Sequence, residues 1–367
     1  MAVATRSGVA VERLAVSAYE VPTDQPESDG TLEWDSTTIV VVQAHVGEHV
    51  GLGYTYAPAA AASLVMDTLA PLVEGTDALA PAATWETLSR SLRNAGRPGI
   101  GFCALAAIDT ALWDLKARLL GLPLVDVLPR VHDDVPVYGS GGFCSYSLGR
   151  LREQLSGWVN DGIPRVKIKI SREPERDPER LDAARAAIGS AAELYVDSNG
   201  ALRAKKAIAW AERLQREWGV TWFEEPVSSA DLDGLRRVRD AAPGGIEIAA
   251  GEYAYVPADF RNLVGSVDCL QADVTRCGGY TGLLRAAGLV AANGLDLSAH
   301  CAPQLSAHGF CALANARHLE YFHDHVRVES LLFDGALEPV GGALRPDRSR
   351  PGHGLELRRG DVERYSA

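Results

Sequence analysis

The sequence predicts an α/β protein built on a (β/α)8 barrel of the TIM type, with an N-terminal α+β capping domain. Two observations support this prediction. From Val135 onward, short β-branched runs alternate with amphipathic helical stretches rich in Ala, Arg and Leu, which is the pattern of parallel βα units. In addition, polar residues suited to catalysis recur at the ends of successive strand segments, where barrel enzymes place their active sites.

The first part of the chain has the pattern of a small α+β domain. STTIVVVQAHV alternates apolar and polar residues, and the Gly-rich turn GEHVGLGYTY follows it, which indicates a short antiparallel sheet. Helical spacing then runs from about Pro58 to Leu120, and the last helix is expected to end at Gly121. We therefore predict a capping domain over residues 1–129.

Eight strand segments are expected in the barrel, over residues 130–325. They are VPVYGS, RVKIKI, ELYVDSN, TWFEEP, IEIAAGE, DCLQADV, LDLSAH and a weaker LEYF. Helices such as PERLDAARAAIG and AKKAIAWAERLQREWG separate them. The region is somewhat shorter than the usual barrel of about 250 residues. The segment 326–367, rich in Gly, Pro and Arg, is expected to have no barrel role and to complete the capping domain by packing back on it.

Composition excludes several classes of partner. The 367 residues carry a formal net charge of -12, and no basic patch that could bind nucleic acid or an anionic membrane is evident. No apolar run approaches the length of about 20 residues that spans a bilayer, and the start lacks a signal-peptide core. The six cysteines have no CxxC spacing, which favours reduced thiols. We expect a cytoplasmic homo-oligomer that acts on a small molecule.

The strand RVKIKI directs Lys167 and Lys169 to the same face. A half-exposed strand with one wet face would explain this pattern. However, the chain has only five lysines, although Lys and Arg together number 36. Two of these rare lysines on one strand face favour a task that guanidinium does poorly, such as exchanging a proton near neutral pH.

The polar residues at the strand ends recur at a similar spacing along the chain. Lys167, Asp197, Glu224, Glu252, Asp273 and His300 are separated by 30, 27, 28, 21 and 27 residues, about the length of one βα unit. Each motif alone would suit a turn or a helix cap. Other polar residues are expected at the same barrel mouth, namely Tyr138 and Ser140 on the first strand and Asn199 on the third.

Three of these residues are carboxylates that adjacent strands bring together. Unpaired carboxylates at one point repel, so Asp197, Glu224 and Glu252 predict a site for a hard divalent cation with oxygen ligands, and Mg²⁺ is the expected one. The lysines would lie on one flank of the cation and His300 on the other. Asp273 could hold the His300 imidazole in one tautomer and raise its basicity.

The chain resembles the enolase superfamily, in its mandelate racemase subgroup, over almost its whole length. The resemblance rests on the KxK of Lys167 and Lys169, DSN, EEP, GE, SAH and HLEYF. It rests also on QADVTRCGG and on the AAIDTALWDLKARLLGLPL helix that leads into the barrel. As a set, these motifs are highly specific.

The resemblance implies a role for each of these residues. Asp197, Glu224 and Glu252 would bind Mg²⁺, Lys169 would be a base on one face of the substrate, and the dyad of His300 and Asp273 would be the acid or base on the other. Lys167 would lie beside the substrate carboxylate and help to keep Lys169 partly neutral. Glu320 would donate a hydrogen bond to the enediolate. The implied chemistry is removal of the proton α to a carboxylate, which requires electrostatic stabilisation of the enediolate.

The reaction that follows proton removal stays open at the level of sequence. In a dehydratase of acid sugars, the imidazolium would protonate a departing β-hydroxyl, and this is the reaction we favour. In a racemase or epimerase, Lys169 and His300 would act as two opposed bases. His308, eight residues after His300 in SAHCAPQLSAHG, has a spacing similar to that in the racemase of the subgroup, but it also suits a helix core. A Schiff-base aldolase and a non-catalytic binding barrel explain fewer of these residues.

Specificity is expected to come from the capping domain. The resemblance implies that loops of this domain close over the barrel mouth, and the candidates are VPTDQPESDGTLEWDS and GLGYTY. The carboxylates of the first loop suit a polyol, and Tyr54 or Tyr56 of the second could cover the substrate. The sequence leaves open which sugar acid binds, which base removes the proton, and the oligomeric state.

Overall fold

The computed structural model describes residues 9–367 and begins with a three-stranded antiparallel sheet. In this sheet β2 lies between β1 and β3, and Val41 in β2 pairs with Ser17 on one side and Tyr54 on the other. The strands are β1 (Arg13–Ser28), β2 (Glu33–Val46) and β3 (His49–Tyr56).

A set of helices covers one face of the sheet. They are α1 (Ala60–Leu64), a π-helix (Val65–Leu69), α2 (Ala70–Val73), α3 (Pro81–Ser91), α4 (Ile100–Leu120) and α5 (Leu124–Val127). The central α4 is buried along most of its length, and it ends where Gly121 adopts the left-handed conformation with φ 65°. Gly51 and Gly53 on β3 allow α4 to approach closely, because a Cβ at Gly51 would lie 2.2 Å from the backbone oxygen of Ala111.

Eight parallel strands close into a barrel, which confirms the predicted fold class. The last strand pairs with the first, with Glu320 opposite Tyr138, so the barrel has no open edge. The strands are β4 (Val135–Gly141), β5 (Arg165–Lys169), β6 (Glu193–Asp197), β7 (Val220–Glu224), β8 (Glu247–Ala250), β9 (Cys269–Ala272), β10 (Leu297–Ala299) and β11 (Ala316–Phe322).

Each barrel strand is followed by a helix on the outside of the barrel. The helices are α6 (Leu148–Asn160), α7 (Asp177–Ile188), α8 (Ala204–Trp218), α9 (Leu232–Ala241), α10 (Pro257–Leu263), α11 (Gly279–Ala292), α12 (Pro303–Phe310) and α13 (His323–Leu332). Their apolar faces and the outward faces of the strands form one continuous core, which includes Val166, Ile168 and Ile170.

The C-terminal segment contacts both parts of the molecule. His353 Nε2 bonds to the backbone oxygen of Leu52 at 2.6 Å, and the backbone nitrogen of Ala367 donates to Ala18 at 3.0 Å, so the segment packs on the capping sheet. It also adds β13 antiparallel to β4, a barrel contact that the sequence did not predict. Its elements are β12 (Phe333–Asp334), β13 (Ala343–Leu344), β14 (Glu356–Leu357), α14 (Arg359–Val362) and a 3-10 helix (Glu363–Tyr365).

Two further observations concern the described part of the chain. All six cysteines lie in it, and each is buried with a free thiol. Among the helices in residues 9–367, none combines the length and the apolar character that a bilayer crossing requires.

Candidate active site

The carboxyl ends of the barrel strands bring the predicted chemical residues to one place. Lys169, Asp197 and Glu224 are the last residues of β5, β6 and β7, and the strand register sets Lys169 opposite Asp197 and Asp197 opposite Glu224. Asp273 and His300 directly follow β9 and β10, and Glu252 lies two residues after the end of β8. These side chains are all buried, and they ring the mouth of the barrel.

Three carboxylates form the cluster that the sequence predicted. One oxygen from each of Asp197, Glu224 and Glu252 can be chosen so that all three lie within 4.8 Å of one another. Oε2 of Glu252 lies 3.1 Å from His300 Nε2, and Oε1 of the neighbouring Glu225 accepts no hydrogen bond from any described residue. A buried group of hard oxygen donors with unfilled bonding capacity fits a divalent cation such as Mg²⁺.

Both lysines of β5 contact carboxylates of this cluster. Nζ of Lys167 lies 2.6 Å from Glu224 Oε1 and 2.8 Å from Glu320 Oε1, whereas Nζ of Lys169 lies 2.6 Å from Asp197 Oδ2. Burial opposes the charged form of Lys169, but Asp197 outweighs it and raises the lysine pKa above its usual value, although Lys167 lowers it. The expected effect of Lys167 is therefore present in direction, but it does not make Lys169 neutral in this structure.

His300 and Asp273 form the predicted pair. Nδ1 of His300 lies 2.8 Å from Asp273 Oδ2, and Nε2, which points toward the cluster, lies 3.1 Å from Glu252 Oε2. Burial opposes the imidazolium, but Cys301, Glu252 and Glu320 raise the pKa of His300 well above its usual value. Oδ1 of Asp273 accepts hydrogen bonds from the backbone nitrogen and the hydroxyl of Thr275, which fix the carboxylate.

Glu320, on the last barrel strand β11, accepts hydrogen bonds in this structure, whereas its implied role is to donate one to the enediolate. Its carboxylate accepts hydrogen bonds from the Ser140 hydroxyl at 2.6 Å and from the Cys301 backbone nitrogen at 3.0 Å. Burial raises the pKa of Glu320, but Lys167 and His300 outweigh burial and lower it below the usual value. An ionised carboxylate accepts hydrogen bonds and cannot donate them, so the implied donation to the enediolate has no support in this geometry.

A cavity of about 220 Å³ opens above these groups. The capping domain contributes Asp29, Trp34, Ser36 and Thr37. All four belong to residues 21–37, which run from the end of β1 through the turn into β2 and which we call the cover segment. The barrel contributes nine side chains, namely Lys169, Asn199, Glu252, Tyr253, Arg276, His300, Cys301, Phe322 and His325. Lys169 and His300 therefore face one space from opposite ends of the carboxylate cluster.

The cover segment is anchored on both sides of the mouth. A Cβ at Gly30 would lie 2.3 Å from the backbone oxygen of Ser198, so the segment rests directly on the loop after β6. The Trp34 ring packs edge-on against Phe143, with ring centroids 5.6 Å apart, and the Thr37 hydroxyl donates to Asp324 after β11. The segment that the sequence singled out for specificity thus forms a wall of the cavity.

The residues predicted to bind substrate are placed differently from one another. Asn199 lines the cavity, whereas Ser140 is fully buried outside the lining and its hydroxyl donates to Glu320. Tyr138 is fully buried lower in the barrel against Tyr195 and does not line the cavity. Tyr54 is also fully buried outside the lining, and its hydroxyl donates to Glu329 at 2.6 Å. The geometry gives no support to substrate contacts from Tyr138 and Tyr54.

Tyr56 and His308 also lie away from the cavity lining. The Tyr56 ring stacks on His325 with ring centroids 3.4 Å apart, so it supports the lining from behind. His308 is fully buried in α12, and burial, together with His353, lowers its pKa to about 3. This buried, neutral imidazole is a core residue, and it removes the argument for a racemase that rested on the position of His308.

Sequence reasoning missed several residues at the mouth. Arg276 belongs to the QADVTRCGG motif, but the sequence indicated no role for it. In the structure its guanidinium lies 3.4 Å from Asp273 Oδ2 and 3.5 Å from Glu252 Oε1. Cys301 follows His300 directly, and its thiol lies 3.4 Å from His300 Nε2. Arg276 lies three residues after Asp273, and Cys301 lies directly after His300. This closeness in sequence to predicted site residues was the available signal.

Unusual backbone conformations mark the same region. Positive φ angles at residues other than glycine occur, in the described chain, at Ser171, Asn199, Glu225, Cys301 and Ala302. Each residue follows a barrel strand at its carboxyl end. Such conformations cost free energy, and they concentrate where function fixes the backbone.

Two other cavities are larger but lack this chemistry. Cavities of about 320 and 530 Å³ lie near Pro98, between the capping domain and the loops around α10. Neither is lined by a lysine, a histidine or one of the clustered carboxylates. The smaller, charged cavity at the strand ends is therefore the candidate active site.

Comparisons with known proteins agree with this assignment of the fold. A family model described as "Mandelate racemase / muconate lactonizing enzyme, N-terminal domain" matches residues 16–129, and one described as "Enolase C-terminal domain-like" matches residues 150–361. The 3,6-anhydro-alpha-L-galactonate cycloisomerase of Streptomyces coelicolor is 31% identical, over 96% of this chain and 98% of its own.

Solved structures are similar over the whole chain. A mandelate racemase/muconate lactonizing enzyme-like protein from Rubrobacter xylanophilus is 60% identical with a TM-score of 0.97, covering 98% of this chain and 100% of its own. The L-talarate/galactarate dehydratase of Salmonella typhimurium, liganded with Mg and L-lyxarohydroxamate, is 26% identical with a TM-score of 0.90. That match covers 100% of this chain and 95% of the dehydratase.

Proposed function

The chain belongs to the mandelate racemase and muconate lactonizing enzyme family of the enolase superfamily, and from this premise we propose that it is a Mg²⁺-dependent dehydratase of sugar acids. The observation that supports the proposal most directly is that Lys169 and His300 face one cavity from opposite ends of a three-carboxylate cluster. Two proton-transfer groups on opposite sides of one metal site suit α-proton abstraction followed by loss of a β-hydroxyl.

The cofactor is Mg²⁺, held by Asp197, Glu224 and Glu252. When bound, it supplies an electrophile that polarises the substrate carboxylate and stabilises the charge of the enediolate. The three buried carboxylates, with one oxygen of each within 4.8 Å of the others, fit this role. The Salmonella dehydratase, which carries Mg in its solved structure, supports the choice of metal.

The side chains of this protein divide the remaining work. Lys167, held between Glu224 and Glu320, places a positive charge beside the substrate carboxylate. Lys169 takes the α-proton, which requires that its amine is neutral when the substrate is bound. Asp273 holds Nδ1 of His300, so that Nε2 faces the cavity and delivers a proton to the departing hydroxyl. The cover segment limits the access of water to the enediolate.

An isomerase is the second candidate. The same two opposed groups could return a proton to the substrate in place of expelling hydroxide, as in a racemase or epimerase. The relative from Streptomyces coelicolor is named a cycloisomerase, and this name supports an isomerase as the second candidate. The cytoplasmic location and the homo-oligomeric state stay predictions from the sequence.

One experiment with two variants tests the assignment of roles. Purified protein with Mg²⁺ is incubated with a library of sugar acids in deuterated water, and both 2-keto product and exchange of the α-proton are measured. His300→Asn should stop product formation and leave slow exchange, whereas Lys169→Met should stop both. Lys205→Met, which changes an exposed lysine on α8, is the matched control and should behave as wild type.

Other outcomes would change the proposal in defined ways. Exchange that survives in Lys169→Met but is lost in His300→Asn would reverse the roles of the two groups. An epimer without any 2-keto acid from the wild type would replace the dehydratase by an isomerase. Full activity in the presence of a chelator, with no metal in the protein, would exclude the metal-assisted mechanism.

A further inference from the structure

We propose that the substrate carries a single carboxylate, as an aldonate does, and that dicarboxylates of the aldarate class are rejected. The inference rests on the proposed function, because it concerns which sugar acid the same cavity accepts. It follows from how charge is distributed between the two ends of the cavity. The barrel end is rich in cations, and the cover end has carboxylates and hydroxyls.

The cations of the cavity are committed to the barrel end. Lys169 contacts Asp197, and His300 contacts Glu252 and Asp273. Arg276 also contacts Glu252 and Asp273. These groups surround the metal cluster, where the reacting carboxylate of the substrate is bound. Each of the three cations is thus already paired with a carboxylate of the barrel.

The cover segment presents the opposite chemistry. Residues 21–37 contain five carboxylates and no Lys, Arg or His. Asp29, which lines the cavity, is 9% exposed and is held in place by hydrogen bonds that Oδ1 accepts from the Thr31 and Leu32 backbone nitrogens and from the Thr31 hydroxyl. Within the described chain these bonds leave Oδ2 to accept from a ligand hydroxyl.

The cations near the cover segment are already paired and lie outside the cavity lining. Arg172 Nη2 lies 2.7 Å from Glu33, Arg150 Nη2 lies 3.1 Å from Asp24, and Arg327 Nη2 lies 2.6 Å from Asp324. None of the three is among the described side chains that line the cavity. A distal carboxylate would have to break one of these pairs or remain unpaired.

Glu27, behind the cavity lining, shows that the cover segment disfavours the ionised form of one of its own carboxyl groups. It is fully buried, and burial followed by the charge of Asp324 raises its pKa to about 9. The wall therefore already keeps one of its own carboxyl groups protonated at neutral pH. Like charges brought together in a partly desolvated site disfavour binding. The hydroxyls of Thr37 and Ser36 already donate to Asp324 and Glu20, so they offer a ligand only acceptor oxygens, to which a hydroxyl can donate and a carboxylate cannot.

The ring of Trp34 completes the fit to a polyol. Its indole forms part of the cavity wall, and its Nε1 donates to Glu27 at 2.9 Å, so the ring is fixed in orientation. Aromatic faces pack well on the C–H faces of carbohydrates. The cover end thus combines a carboxylate acceptor, two hydroxyls and an aromatic face, a combination suited to a neutral polyol terminus.

The test uses matched pairs of acids that differ at one carbon. Aldonates and aldarates of the same configuration, such as gluconate with glucarate and galactonate with galactarate, are compared by kcat/KM for formation of the 2-keto acid. For the configurations that turn over, we expect the aldonate to be preferred by at least about 100-fold. Equal rates, or a preference for the aldarate, would overturn the proposal.

A pair of variants tests the cause of the preference. Asp29→Asn removes the carboxylate that lines the cavity and should lower the ratio of aldonate to aldarate kcat/KM by at least about tenfold. Asp35→Asn makes the same change at an exposed position of the same segment, outside the lining, and should leave the ratio unchanged. A ratio that is the same in the wild type and both variants would contradict the argument from charge.

Measurement of α-proton exchange separates failure of this inference from failure of the proposed function. If no acid of either class exchanges its α-proton with wild-type protein and Mg²⁺, the proposed function fails and the inference fails with it. If aldarates exchange as fast as aldonates or faster, the proposed function survives and the inference alone is wrong.

Discussion

Glu252 is the residue at which metal binding and proton transfer meet. One oxygen of its carboxylate belongs to the three-carboxylate cluster, and Oε2 lies 3.1 Å from His300 Nε2. Burial opposes its ionised form, but His300 and Arg276 outweigh burial and lower its pKa well below the usual value. The side chain is therefore a carboxylate, as a metal ligand must be.

We predict that Glu252→Gln weakens Mg²⁺ binding by at least about tenfold and lowers activity by about 1000-fold or more, because a neutral amide is a poorer ligand for a hard cation. Calorimetric titration with Mg²⁺ measures the affinity, and circular dichroism shows whether the variant is folded. Glu193→Gln, at the opposite end of the barrel beside Arg165, is the control and should bind Mg²⁺ normally. Unchanged affinity in Glu252→Gln would remove this residue from the metal site.

The second prediction at the residue scale concerns Asp273. The hydrogen bond between His300 Nδ1 and Asp273 helps to raise the pKa of His300, so Asp273→Asn should lower that pKa. If protonated His300 is the acid, activity falls as the pH rises and His300 loses its proton. This fall should occur at a lower pH in Asp273→Asn than in the wild type. The rate should fall on the order of 1000-fold, because the tautomer is no longer fixed.

The pH dependence of kcat and kcat/KM checks this prediction. Asp296→Asn is the matched control, because Asp296 is an exposed carboxylate just before the same strand, β10. An Asp273→Asn variant with the profile and rate of the wild type would show that Asp273 has no part in the mechanism.

Residues that follow the strand pattern could be predicted one by one from the sequence, whereas for the capping domain the resemblance indicated the loop but not which of its residues would line the cavity. Lys169, Asp197 and Glu224 were predictable because one βα unit has a nearly constant length and the strand phase decides which side chains face the mouth. Asp29 lines the same cavity but lies more than a hundred residues earlier. Its contribution depends on how the capping domain folds over the barrel.

At the scale of elements, strands with a clear sequence pattern were predicted, and strands without one were missed or predicted too short. The barrel strands are apolar runs rich in β-branched residues, so their hydrophobic periodicity and their composition both predicted strands. β1 was not predicted at its full length, because Pro22, Pro26 and several acids interrupt its pattern. It tolerates them as an edge strand, since it pairs with β2 alone and its register shifts between Pro22 and Glu27. The two-residue strand β13 was missed because so short a segment has no period of its own.

The contact between β3 and α13 gives a prediction about stability. Tyr54 on β3 donates to Glu329 on α13, and burial raises the pKa of Glu329 to about 8. Its pKa in the unfolded chain is near 4.5, so the folded state retains a proton that the unfolded state loses between these values. The stability that this proton provides is complete below about pH 4.5 and is lost as the pH rises through about 8, by an amount on the order of 4 kcal/mol.

Glu329→Gln should therefore make the free energy of unfolding less dependent on pH than in the wild type. Urea denaturation at several pH values between 5.5 and 9, about the range over which the shift acts, gives the comparison. Glu338→Gln, an exposed change in the C-terminal segment, is the control. A slope of stability against pH that is equal in Glu329→Gln and wild type would show that Glu329 is not protonated in the folded protein.

At the scale of the whole molecule, a buried polar junction joins the capping domain to the barrel. Asp109 on α4 accepts hydrogen bonds from the backbone nitrogen of Thr281 on α11 at 2.9 Å and from its hydroxyl at 2.6 Å. The same hydroxyl accepts from Trp113 Nε1 at 2.9 Å. The junction has few polar groups, and each depends on the others.

We predict that Thr281→Val destabilises the protein by about 2–3 kcal/mol, because it leaves Asp109 and Trp113 buried without one of their partners. Chemical denaturation followed by fluorescence and by circular dichroism should also show one transition, since the two parts share this interface. Thr87→Val, at an exposed position on α3, should cost much less. Two separate transitions in the wild type would contradict a cooperative junction.

The return of the C-terminal segment to the capping sheet also determines the order in which the molecule can be completed during synthesis. The backbone nitrogen of Leu124, the backbone oxygen of Leu52 and the carboxylate of Asp114 each bond to Gly352 or His353. Translation delivers residues 352 and 353 more than two hundred residues after these partners. The nascent chain therefore holds an unfinished N-terminal domain while the ribosome produces the whole barrel, and this interval is when chaperones would meet it.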